Sequence, residues 1–364
     1  MKTKRKLGVR RTLAWLAAVL AVLTLLGAFA ALIPGPRESP VFTPFGSNVV
    51  LVKLGEESFL DRGTLTAASY ANGIHFAAID GDGNTATQLL ASPDGKTWQN
   101  LLDHPSIAGQ MPKDGIIDEV VFVNDTWFFG FFGWFSSTDA VVFRFRPASA
   151  DNYGLGGDWQ ASFDGKSVGS GRATAMDVID GVLYLVTEYG ALYRKTTGGA
   201  WYPTNEADPT PFEGYRVFDL TKCGNKVLAL GEDASGTVLF QASSMTGTWT
   251  MQRLDGIKAN RFDTTPGGAC FIAADGGKLA FSSNLSTWKI SRMPDNVSFT
   301  EFFNFGGKHY AIGSDDTYGV LYESQDGASW ERVAKVDTPL LAASVAEKEA
   351  ILYGENGSIY RLTK

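Results

Sequence analysis

Tryptophan recurs at positions 98, 159, 201, 249, 288 and 330, and a similar turn leads into most of these positions. SPDGKTW at 92–98 returns as SQDGASW at 324–330. Weaker copies are SSNLSTW at 282–288, SSMTGTW at 243–249 and KTTGGAW at 195–201, and a stretched version ends in GGDW at 156–159. The first interval, 61 residues, holds an insertion, and the others are 42, 48, 39 and 42 residues. A period of roughly forty residues means one supersecondary unit repeated, each unit burying its faces against its neighbours.

The text before each tryptophan also repeats. An apolar strand, a turn with Gly or Asn, a second apolar strand, a Gly/Asp loop and a third strand run into the motif, as in FTEFFNFGGKHYAIGSDDTYGVLYESQDGASW at 299–330. With a fourth strand after the Trp, this is a four-stranded meander, and its radial repetition is a β-propeller. Six motifs mark six blades. PLLAASVAEKEAILYGENGSIYRL, from residue 339, supplies three more strands, and NVVLVKL at 48–54 is the natural fourth. The expectation is an all-β, seven-bladed β-propeller over 48–364, closed by strands from both chain ends. Six blades with loose ends is the competing count.

The two strongest copies, Ser92, Asp94, Gly95 and Trp98, and Ser324, Asp326, Gly327 and Trp330, resemble the Asp-box (BNR) repeats of sialidase-type and photosystem II assembly-factor propellers. The resemblance implies a turn between the third and fourth strands, on the periphery. Asp and Gly are adjacent here, a shortened variant. In weaker copies the Asp becomes Asn284, Met245 or Thr197, while Trp159, Trp201, Trp249 and Trp288 persist. A packing anchor tolerates that drift and a catalytic acid does not, so the motif is read as structural.

The N-terminus gives an address. Seven of the 32 basic residues fall in 1–37 with no acid, which leaves 25 basic against 39 acidic residues for the remainder. Segment 1–11 reads as a basic cytoplasmic stretch. Segment 12–33 is apolar and long enough to span a bilayer, as a transmembrane anchor or a cleaved signal peptide. Segment 34–47 is a Pro-rich linker. Lys and Arg stay on the cytoplasmic side, so the propeller is expected outside the cytoplasm, or secreted if the segment is cleaved. An acidic body repels nucleic acid and suits a basic partner. Cys223 and Cys270, the only cysteines, lie near equivalent hairpins of adjacent blades and permit a cross-blade disulfide.

Function is expected on loops at one face of the ring. Acids recur between second and third strands: Asp80, Asp82, Glu188, Glu232, Asp233, Asp275, Asp315, Asp316 and Glu355. They would set up a negative field, or they simply make turns. Arg172, Arg216 and Arg261 recur near the starts of first strands and point to an anionic ligand, since sialidases hold a carboxylate with three arginines. Other sialidase features are missing: FRFRP at 143–147 falls in a third strand, and no Tyr–Glu nucleophile pair can be assigned. In WFFGFFGWF at 127–135, Trp134 and Phe135 end the strand and are candidates for touching a partner. No metal-ligand spacing or cofactor motif is present, and none is expected to be needed. The sequence therefore points to a membrane-anchored interaction or assembly module that binds a protein. A sialidase-like glycoside hydrolase or lectin is the alternative.

Overall fold

The computed structural model describes residues 39–40, 50–56, 63–81, 87–105, 116–123, 126–132, 139–147, 159–163, 169–196, 200–265, 268–293, 297–315 and 317–364. The sequence segments 1–11 and 12–33, nearly all of the linker, Asp82, Asp316, Trp134, Phe135 and the Trp159 side chain lie outside the described residues. No described helix is long and apolar enough to cross a membrane.

The strands form seven antiparallel sheets, and the fold is an all-β propeller. Six sheets are each drawn from one continuous stretch of chain: I (63–100), II (116–170), III (173–203), IV (216–253), V (259–292) and VI (298–336). Sheet VII is composite. Leu340–Val345, Glu349–Gly354 and Ser358–Thr363 form its inner three strands, and Val50–Glu56 pairs antiparallel with Ser358–Thr363. The N-terminal strand is thus a partner of the C-terminal one and not a loose end. The innermost strands contact one another in a single cycle from sheet I through sheet VII and back to I. No sheet pair has to leave an apolar face to solvent.

The hydrophobic layers lie between successive sheets. Cys223, Leu228, Leu230 and Leu239 meet Phe262, Cys270 and Ile272 between IV and V, and Phe271 and Ala273 meet Phe299, Phe302 and Ala311 between V and VI. The second strands are covered on both faces, which is why Cys270–Ala274 is buried at every position.

Each described motif tryptophan packs toward the preceding sheet. Trp98 meets Tyr353 of sheet VII edge-on at 5.8 Å, Trp330 meets Phe271 of sheet V at 6.3 Å, and Trp249 meets Phe212 of the connector from sheet III at 4.9 Å. The turn before it is held by one carboxylate. Asp94 Oδ1 accepts from the amides of Lys96 and Thr97 at 2.8 and 2.7 Å, and Asp326 Oδ1 accepts from Ala328 and Ser329 at the same two distances. Asn284 does the same with Ser286 and Thr287, both at 3.0 Å. The Ser329 amide, then that of Ala328, hold the Asp326 carboxyl below its ordinary range. Gly95 and Gly327 have φ +65° and +69°. A Cβ on Gly95 would lie 2.5 Å from Ile351 Cδ1 of the preceding sheet, so both backbone and space require glycine.

These contacts make the motif a fastener. Asp326→Ala is expected to lower the urea midpoint, and Asp326→Asn to retain most of it because Asn284 already fills that role. Equal losses in the two variants would contradict the hydrogen-bonding account.

Cys223, at the end of the first strand of sheet IV, and Cys270, opening the second strand of sheet V, form a disulfide with Cα atoms 6.3 Å apart.

Candidate functional site

The first strand of every sheet carries a register shift at the same place, after Leu65, Ile117, Ala173, Val217, Ala259, Phe299 and Leu340. A bulge inserts one unpaired residue and re-aims the side chains around it. Here it stacks the inner strands into layers along the axis.

The bulged residues themselves tie neighbouring sheets together. Thr66 Oγ1 donates to Ile117 O at 2.6 Å, Thr300 Oγ1 to Leu340 O at 3.0 Å, and Asn260 Nδ2 to Phe299 O at 2.7 Å. Thr174 holds the same position in sheet III, and its buried hydroxyl has no hydrogen-bond partner among the described residues.

Two residues before the bulge, three successive sheets place a cation: Arg172, Arg216 and Lys258. These three, with Thr66, Glu119, Thr174, Phe218, Glu232, Asn260 and Arg261, line a cavity of about 450 Å³ among inner strands of five sheets. The arginines chosen from sequence therefore do converge, but not as one set. Arg261 lies one residue past its bulge, in the layer of Glu119, Asp219 and Glu301. Lys258 is the true equivalent of Arg172 and Arg216. Sequence reading missed it because only the bulge register, invisible without the partner strand, aligns 258 with 172 and 216.

Arg261 has a different task. Its Nη1 lies 3.4 Å from Glu119 Oε1, linking sheet V to sheet II across the axis. Glu119, then Asp219 and Glu301, push the guanidinium pKa above its ordinary value against the effect of burial. Around it the carboxylates are strongly perturbed. Burial pushes Glu301 up to about 7, and pushes Asp177 and Asp263 up to about 7 as well. Burial also raises Asp219, which Arg261 and the amides of Phe262 and Leu220 counteract. Asp219 Oδ2 accepts from Phe262 N at 2.7 Å and Glu301 Oε2 from Ala343 N at 2.6 Å, each reaching the next sheet. Asp219 and Glu301 work as inter-sheet ties around one guanidinium. Among the described residues no cluster of His, Cys, Asp and Glu is arranged to hold a metal ion.

The expected negative field on the loops is largely cancelled by pairing. Asp233 takes Arg253 in a two-pronged contact at 3.0 and 2.8 Å, Asp275 takes Lys258 at 2.9 Å, and Asp315 takes Lys335 at 3.1 Å. For Asp233, Asp275 and Asp315 the cation comes from a strand or connector beside the loop. At the mouth the exposed Arg216 pairs with Glu232 at 3.0 Å, with 61% and 37% of their side chains accessible. Such a pair contributes little and exchanges readily with an incoming anion.

No family model matches the chain, and no curated protein matches it. Solved structures do. A YCF48 structure described as bound to D1 peptide superimposes with a TM-score of 0.60 at 18% identity, covering 89% of this chain and 98% of that one. The likeness is one of fold. A catalytically inactive virginiamycin B lyase from Staphylococcus aureus, solved with quinupristin, gives 0.62 at 10% identity over 87% and 100% of the two chains. A chain of the mitotic checkpoint complex gives 0.56 at 10% identity over 91% and 94%. These neighbours include a peptide-bound protein, an enzyme and a member of a protein complex, so the shared fold leaves the choice to the site.

Proposed function

We propose that the chain is a membrane-anchored, extracytoplasmic propeller that binds another protein and catalyses no reaction, and that the partner presents an acidic segment to the axial mouth. The observation that carries this is the cation layer of Arg172, Arg216 and Lys258 around a 450 Å³ polar cavity. Arginine suits carboxylates because its planar fork donates two parallel hydrogen bonds. The net acidity of the sequence suggested a basic partner, but the loop acids are paired locally, and at the mouth Arg216 and Lys258 hold theirs in exposed pairs that an acidic segment can replace. The YCF48 neighbour, with its bound peptide, supports a peptide-binding use of this architecture. The membrane address rests on the basic segment 1–11 and the apolar run 12–33. This reading counts composite sheet VII as the seventh blade and the Ser/Asp/Gly/Trp turns as degenerate Asp-boxes.

Binding of fluorescent acidic and basic peptides to the full chain tests it. Acidic peptides are expected to bind, more weakly as salt rises, and Arg172→Glu with Arg216→Glu to cost at least about tenfold in Kd. Binding that prefers the basic peptide, or ignores both substitutions, contradicts the proposal. A sialidase assay and glycan array address the hydrolase and lectin reading; turnover lost in Arg216→Ala would establish that alternative instead.

A further inference from the structure

We propose that His75 is an acid-sensitive latch that holds sheet I against sheet VII and so couples closure of the ring to pH. His75 lies in the second strand of sheet I and is 1% exposed. Its Nδ1 is 2.7 Å from Ser344 Oγ on the first strand of sheet VII, and that oxygen is 2.8 Å from the hydroxyl of Tyr353 on the second. Ser344 and Tyr353 are 1% and 2% exposed. The contact joins residues 269 positions apart. Together with the pairing of Val50–Glu56 and Ser358–Thr363, it ties the beginning of the propeller to its end.

His309 marks what is particular about His75. It occupies the equivalent place in sheet VI, opposite Ser324 as His75 is opposite Ser92. Its Nδ1 meets Asn304 Oδ1 of its own sheet at 2.6 Å. Only His75 of this pair carries its bond across a sheet boundary.

The chain of hydrogen bonds has a direction. With the neutral ring in the Nε2–H tautomer, which turns that proton toward Glu349 Oε1 at 3.9 Å, Tyr353 donates to Ser344 and Ser344 donates to Nδ1. A proton added at Nδ1 makes that nitrogen a donor. Ser344 can then only accept from it, so one of the two hydroxyl protons, that of Ser344 or of Tyr353, loses its acceptor in the interior. A buried donor left without a partner costs free energy. Among the described residues the titratable groups facing the ring are Asp94 from the turn of sheet I, Glu349 and Tyr353 from sheet VII, and Tyr70, whose ring centroid is 4.6 Å away. Burial outweighs the opposing pull of Asp94 and depresses the imidazole from 6.5 to about 4. The folded protein therefore refuses a proton that the unfolded chain accepts. Stability from this group is complete above pH 6.5 and is lost as pH falls from there to about 4.

The test is urea unfolding of the full chain between pH 7 and pH 4.5, with and without His75→Gln. Below pH 6.5 the wild-type folding constant is expected to lose about tenfold per pH unit relative to the variant, the slope of one proton. Parallel curves overturn the proposal. If His75→Gln does not fold, imidazole resonances of the wild type decide, since the chain has three histidines. One, identified by its perturbation in Ser344→Ala, should stay neutral well below pH 6; titration of His75 near 6.5 in the folded protein overturns the latch. Amide exchange at pH 5 is expected to rise first in 74–81 and 340–345. An even rise over all sheets would mean that no seam opens and would also overturn it.

Discussion

Arg261→Met is expected to destabilise the propeller by about 3 kcal/mol, the lower end of the cost of stranding a buried charge, because 32% of the Arg261 side chain stays accessible. The guanidinium is 3.4 Å from Glu119, which is 15% exposed, and it offsets the charges of Asp219 and Glu301. Without it, these carboxylates lose the cation in their own layer, so protonation becomes the main relief of their repulsion. The loss should therefore depend on pH. Glu301, Asp177 and Asp263 already have folded values near 7 against ordinary ones near 4. Between those limits the folded state holds more protons than the unfolded chain, so the stability these groups contribute at low pH is lost as pH rises through about 7. Removing Arg261 raises the folded values further. Urea unfolding should show a deficit several-fold smaller at pH 5 than at pH 8, and Glu119→Gln should recover part of it. An equal deficit at both pH values would mean that Arg261 acts through packing and not through charge.

Removing the disulfide is the second large effect. Cys223 and Cys270 close a loop with a sequence separation of 47 residues. The loop entropy taken from the unfolded chain amounts to about 4 kcal/mol, and measured losses run at roughly 2–4 kcal/mol. Cys223→Ala/Cys270→Ala should lose that much, and wild type under reductant should match the double variant. Both cysteines are buried, at 2% and 0% exposure, so an Ala control also separates the cross-link from packing. A reduced wild type as stable as the oxidised one would show that the joint between sheets IV and V is held by its hydrophobic layer alone. A bond of this kind persists in an oxidising compartment, in keeping with the proposed extracytoplasmic address.

Much of the fold was legible because a propeller repeats its local chemistry. Trp98, Trp249, Trp288 and Trp330 announced the period, and the drift from Asp94 to Asn284 declared a structural turn. In the structure Asn284 makes the same backbone contacts as Asp94 and Asp326. The candidate site was less legible. Arg172 and Arg216 stood out, but Arg261 was grouped with them although its charge is committed to Glu119. Lys258, their real counterpart, was passed over. The recurring loop acids suggested a basic partner, because sequence shows each acid and not the Arg253, Lys258 or Lys335 folded against it.

What the amino-acid sequence determined alone was the repeat, its strands and turns, and the means of closing the ring, since these depend on residues within about forty positions or on a visibly missing strand. What only the tertiary structure decided was the charge of the axis. A single bulge per inner strand shifts which side chains share a layer, and a one-residue shift moves a side chain to the other face. Whether a cation stands exposed at the mouth, as Arg216 does, or is committed to a carboxylate across the axis, as Arg261 is, is set by register and by residues up to three sheets away. Coulomb interactions act across space and are blind to sequence distance.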